Sequence, residues 1–78
     1  FDDRFAGKTF VVTGEPDDYG KDGAKGIIEA FGGIVRGTVS GKTDYLLVGM
    51  YAGDKKLEKA KELGISIIDA DDFEQMIS

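Results

Sequence analysis

The sequence predicts an α/β fold in three layers, a mainly parallel sheet between helices, and three observations carry that expectation. Short, nearly uninterrupted apolar runs alternate with stretches whose apolar residues recur at helical spacing. The runs read as strands covered on both faces, because only a buried parallel sheet hides such continuous apolar sequence. Between them stand glycine and aspartate at positions that suit turns and helix ends.

The elements follow in order. Thr9-Phe10-Val11-Val12-Thr13, ended by Gly14, is a β-branched and aromatic strand. After the turn-rich Glu15-Pro16-Asp17-Asp18-Tyr19-Gly20, the residues Ala24, Ile27, Ile28 and Phe31 fall at i, i+3, i+4 and i+7, the stripe of a helix packed on a core. Gly32 supplies a left-handed cap, and Gly33 lets the chain reverse into a second strand, Ile34-Val35-Arg36-Gly37. Both glycines read as backbone punctuation rather than as a site. Ser40-Gly41-Lys42-Thr43-Asp44 is turn chemistry, and Tyr45-Leu46-Leu47-Val48-Gly49 is a third strand. Asp54 suits the N-cap of a second helix carrying Leu57, Ala60 and Leu63 and closed by Gly64. Ile65-Ser66-Ile67-Ile68 makes a fourth strand, and Asp69 caps a last helix with Phe73, Met76 and Ile77 on its apolar side. The order is β-α-β-β-α-β-α.

Composition sets the limits. The 78 residues are enough for a single core, read here as one domain, residues 1–78, of a longer protein. No apolar run approaches the ~20 residues that span a bilayer, and no basic-then-apolar start reads as a signal peptide. With neither Cys nor His, the chain lacks disulfides, thiol nucleophiles, zinc thiolate sites and a histidine base. Most enzyme classes are thereby excluded, and neither a metal nor a cofactor is expected.

Fifteen acidic against ten basic residues give a net charge of −5, which opposes tight binding to a polyanion. Distribution matters more than the total. Lys55, Lys56, Lys59 and Lys61 are opposed within their stretch only by Glu58. Taken alone, that pattern is the solvated face of a helix. Set beside the strand end at Thr13 and Gly14, it allows a hydroxyl, a glycine amide and an ammonium to meet around one phosphate. Ligands of parallel α/β sheets favour the carboxyl ends of the strands, where Thr13 and Gly14 sit, and the start of the second helix can lie beside the first strand there. This suggests recognition rather than chemistry.

Competing motifs fail. Gly41-Lys42-Thr43 resembles the end of a phosphate-cradling loop, but the glycine required five positions earlier is Arg36, and strand rather than helix follows Thr43. Gly14 and Gly20 make no dinucleotide fingerprint, since positions 16 and 19 are Pro16 and Tyr19. Asp17, Asp18, Asp69, Asp71 and Asp72 read as loop solvation or helix capping rather than metal ligands.

The string from Ala6 to Gly14, the Phe31-Gly32-Gly33 step, Val39 to Gly49, Ala52 to Ile65, and Ile68-Asp69 leading into a final helix together resemble a BRCT domain over nearly the whole chain. The likeness is greatest to the solitary BRCT domains of the replication factor C large subunit and, next, of NAD-dependent DNA ligases. It implies a four-stranded parallel sheet with two helices on one face and one on the other. In the replication factor C type it further implies a grip on the 5′-phosphate of double-stranded DNA by residues that here read Thr13, Gly14, Lys21 and Lys56. Lys21 stands where that family usually has arginine, which keeps the charge but loses the bidentate fork. The acidic Glu15-Pro16-Asp17-Asp18 segment beside the pocket would repel the neighbouring DNA backbone.

The expected function is therefore that of a non-catalytic module of a DNA replication or repair protein, of clamp-loader type, which binds phosphorylated duplex ends. Two alternatives stand beside it: a protein-interaction domain that binds partners through its surface helices or a phosphoserine in the same pocket, and an auxiliary DNA-binding domain of a ligase. The first expectation places the host in the nucleus, the ligase one in the bacterial cytoplasm. The isolated domain is expected to be monomeric.

Overall fold

The computed structural model describes residues 3–14, 20–50 and 52–78. Its elements are β1 (Thr9–Thr13), α1 (Gly20–Ala30), β2 (Ile34–Arg36), β3 (Tyr45–Val48), α2 (Asp54–Leu63), β4 (Ser66–Asp69) and α3 (Ala70–Ile77). The four strands form one sheet in the order β2-β1-β3-β4. Every neighbouring pair is parallel, with Thr13 beside Val48 and Val48 beside Asp69 at the carboxyl end.

Alternation along β1 sends successive side chains to opposite faces and so builds two cores. Phe10 and Val12 join Phe5, Ala24, Ile28, Leu47, Ile68 and Phe73 on the face covered by α1 and α3. Val11 joins Val39, Leu46 and Ala60 on the face covered by α2. The result is three layers, with two helices on one face and one on the other. Arg4 ties the larger layer together: its guanidinium lies 4.7 Å from the centre of the Phe31 ring and donates to the Met76 carbonyl oxygen at 2.7 Å.

The ends of the helices follow local chemistry. The Gly33 N–H donates to the Ile28 carbonyl and the Gly32 N–H to that of Glu29, the paired bonds of a Schellman turn, with Gly32 at φ 85°. Gly33 is pressed so close to Ile28 that an added Cβ would lie 2.5 Å from its Cγ2. At the start of α3, Asp69 accepts from the Asp72 N–H at 2.8 Å while the Asp72 carboxylate accepts from the Asp69 N–H at 3.3 Å, a closed capping box.

Three expectations are corrected. Gly53, in extended conformation at ψ 141°, is the N-cap of α2, and Asp54 is instead the first helical residue, where its charge still complements the helix dipole. The fourth strand starts at Ser66, because the Ile65 N–H is committed to the Ala60 carbonyl at 2.9 Å and closes α2. The outer strands are not covered on both faces. Ile34 on β2 is 39% exposed and Ile67 on β4 37% exposed, since a single helix cannot roof four strands.

Candidate anion-binding site

In a sheet of parallel strands joined by helices, the chain leaves each strand at its carboxyl end and enters the next helix nearby. The starts of α1 and α2 therefore open at the end of the sheet where Thr13 and Gly14 lie. Thr13 is the last residue of β1 and shares its alternation with Val11, so its side chain faces the α2 layer. It is only 5% exposed, and its carbonyl oxygen accepts from the Gly49 N–H at 2.9 Å.

Gly14 is held at φ 76°. A Cβ there would lie 2.5 Å from the Met50 carbonyl oxygen, 2.9 Å from that of Gly49 and 3.0 Å from the Ala52 nitrogen. Two requirements thus exclude a side chain: the left-handed backbone and the close approach of another segment. The strand end is pressed against the stretch of chain that enters α2. The sequence carried a weak signal of this contact in Gly49 and Gly53, but no local pattern identifies which glycine meets which segment.

α2 begins two residues past Ala52. Gly53 makes no side-chain hydrogen bond to the first-turn amides of Asp54, Lys55 and Lys56, so no capping side chain blocks this end of a ten-residue helix. Lys56 is the third helical residue and is half-buried, whereas Lys55 is exposed. Lys21 is the second residue of α1, also half-buried, and starts the helix on the opposite face. The structure brings Thr13, Gly14 and the start of α2 into one corner, with Lys21 at the same end of the sheet but in the other layer. Glu15, Pro16, Asp17 and Asp18 lie outside the described residues.

The neighbouring carboxyl ends are acidic. Asp69 and Asp71, with Val48, Gly49 and Ala70, line a cavity of about 220 Å³ at the ends of β3 and β4. Among the described residues no group of three or more His, Cys, Asp or Glu side chains is arranged to hold a metal ion. Backbone amides, a hydroxyl and an ammonium can hold an anion without activating it.

Comparison with known proteins agrees with this architecture. A family model described as the BRCA1 C Terminus (BRCT) domain matches residues 1–77. The chain is 57% identical over 76 residues to a DNA ligase of Acetivibrio thermocellus, and 51% identical over 74 residues to one of Thermosipho africanus. These matches cover 97% and 95% of the chain but only 11% of each relative, so the chain spans about a ninth of the curated proteins it resembles. The C-terminal BRCT domain of human XRCC1 superimposes with a TM-score of 0.74, covering 95% of this chain and 78% of that one, at 16% identity, a likeness of fold alone. The ranking read from the sequence changes accordingly. Relatives at this identity are bacterial DNA ligases, so the ligase alternative moves ahead of the replication factor C reading, and the clamp-loader and nuclear expectations gain no support.

Proposed function

The chain belongs to the BRCT domain family, and from that premise we propose that it is a non-catalytic module of a bacterial DNA ligase that helps the enzyme hold nicked duplex DNA by gripping a 5′-phosphate. In this reading residues 1–78 are one domain of a longer cytoplasmic protein and behave as a monomer when isolated. The ligase assignment is supported by the 57% and 51% identities to DNA ligases. The phosphate grip is supported chiefly by one observation, the packing of Gly14 against the backbone of Gly49, Met50 and Ala52. In this reading the amides at the start of α2 and Lys56 are turned to the end of β1, which the approach of Gly14 to Met50 and Ala52 supports. Thr13 contributes its hydroxyl from the same layer, and Lys21 adds charge from α1. Without His or Cys the commonest nucleophile and base pairs are missing, which favours binding as the role.

Titration of the chain with nicked duplexes that differ only in the 5′-phosphate at the nick tests this reading. Tighter binding of the phosphorylated nick is expected, and equal affinity for the two would overturn it. A second reading, capture of a phosphoserine in the same corner, is favoured by the −5 net charge and by Asp69 and Asp71 at the neighbouring strand ends, which repel a long polyanion more than a short peptide. A phosphoserine peptide that binds more tightly than the phosphorylated nick at ~0.15 M salt would establish it instead.

A further inference from the structure

The uncovered part of the α2 face carries a second cationic feature. Ile34 pairs with Thr9 and Arg36 with Val11, so both side chains stand on the face that α2 covers. α2 lies over the middle of that face and toward β4, where Ala60 and Leu57 pack with Val11 and Leu46, and Val39 from the β2–β3 connection fills in beside them. Over β2 the face stays open as a groove of about 480 Å³ lined by Thr9, Ile34, Arg36, Gly37, Thr38, Ser40 and Lys42. Two of these side chains are cationic, three carry hydroxyls and none is acidic, in a chain with a net charge of −5. The nearest carboxylate in sequence, Asp44, does not line the groove and accepts from the Thr9 N–H at 2.7 Å.

The wall that bears Lys42 is ordered by its own bonds. The Thr43 N–H donates to the Ser40 carbonyl at 3.0 Å, the Ser40 N–H to the Thr43 hydroxyl at 3.1 Å, and the Lys42 N–H to the Ser40 hydroxyl at 3.3 Å. Ser40 Oγ therefore accepts from within the turn and keeps its proton to donate outward. A turn held in this way loses little further freedom when it meets a ligand.

We infer that this groove is a second contact for the sugar-phosphate backbone of duplex DNA, made by Arg36 and Lys42 with the Thr38 and Ser40 hydroxyls. The inference rests on the DNA reading above and adds an internal phosphate to the terminal one. Charge complementarity selects the ligand. Thr9 and Thr13 stand on the same face of β1, four residues apart or roughly 13 Å at strand rise. α2 lies over Val11 between these two residues, so the groove and the corner are separate contacts. Contacts to internal phosphates set register and affinity but do not read the strand end.

The test is titration of the wild-type chain and an Arg36→Gln/Lys42→Gln variant with nicked duplexes, with and without the 5′-phosphate, across a series of salt concentrations. The variant is expected to bind both duplexes more weakly by the same factor, to keep its preference for the phosphorylated nick, and to lose about one unit of salt slope per side chain removed. Both residues are exposed, so melting should be unaffected. Should it shift, the charge-conserving Arg36→Lys/Lys42→Arg variant decides: retained DNA affinity and slope support the groove, and their loss overturns it. Unchanged affinity and slope in the glutamine variant would overturn the groove while leaving the corner intact. Loss of phosphate preference with unchanged binding of the unphosphorylated duplex would also overturn it, by assigning these residues to the corner. Weakened binding of a phosphoserine peptide alone, with duplex binding unchanged, would overturn it in favour of a protein partner. If the wild type shows no phosphate preference but the variant still binds duplex more weakly, the corner reading falls and the groove stands.

Discussion

Gly14 and Met50 are in backbone contact: a methyl group on Gly14 would stand 2.5 Å from the Met50 carbonyl oxygen. The end of β1 and the approach to α2 can be this close only because position 14 has no side chain. The first prediction is that Gly14→Ala destabilises the domain by ~1–3 kcal/mol through the left-handed conformation alone, and further through the clash with backbone that cannot rotate aside. Thermal melting should fall by roughly 4–8 °C for each kcal/mol lost in a domain of this size. An unchanged melting temperature would show that the two segments are not held together.

Lys56 projects from the third position of α2, beside an N-cap that makes no side-chain hydrogen bond. Lys56→Glu is expected to abolish discrimination between phosphorylated and unphosphorylated nicks while moving stability by no more than ~0.5 kcal/mol. Equal weakening toward both duplexes would mean that Lys56 meets the DNA generally rather than the terminal phosphate.

Lys21 starts α1 in the opposite layer. If it reaches the same phosphate, Lys21→Arg should tighten binding of the phosphorylated nick, because a guanidinium offers two parallel hydrogen bonds where an ammonium acts as a point charge. The measurement is the ratio of the two affinities in wild type and variant. A ratio that stays the same or falls would remove position 21 from the site.

The capping box of α3 should be measurable apart from any ligand. Asp69→Ala removes the acceptor that stands 2.8 Å from the Asp72 amide, and the loss of such a cap is expected to cost about 0.5–2 kcal/mol in denaturant or thermal unfolding. DNA binding should persist, since Asp69 lies at the end of β4, two strands from β1. Tighter DNA binding in this variant would show that its charge repels the duplex.

The element order was legible in the amino-acid pattern, because helical and strand periods are local. The spacing of Ala24, Ile27, Ile28 and Phe31 marks a helix face, and Phe10-Val11-Val12 marks a strand, whatever packs against them. The same pattern also marked the helix ends whose partners lie within a few residues, namely Gly32 with Gly33 and Asp69 with Asp72. Thr13, Gly14 and Lys56 could be singled out as strand-end and helix-start residues for the same reason, whereas Lys21 was singled out only through the resemblance to the BRCT family.

Features that depend on contacts between segments far apart in the chain emerged with the packed fold. The order β2-β1-β3-β4 makes β2 and β4 the edges, so that Ile34 and Ile67 stay partly exposed in strands whose apolar sequence suggests full burial. Asp54 and Gly53 both suit an N-cap locally, and the backbone of the packed chain assigned that place to Gly53. The approach of Gly14 to Met50 and the separation of Lys56 and Lys21 into different layers have no local signature. Local periodicity reports which face of an element seeks burial, whereas the sheet order and the crossovers determine which faces meet.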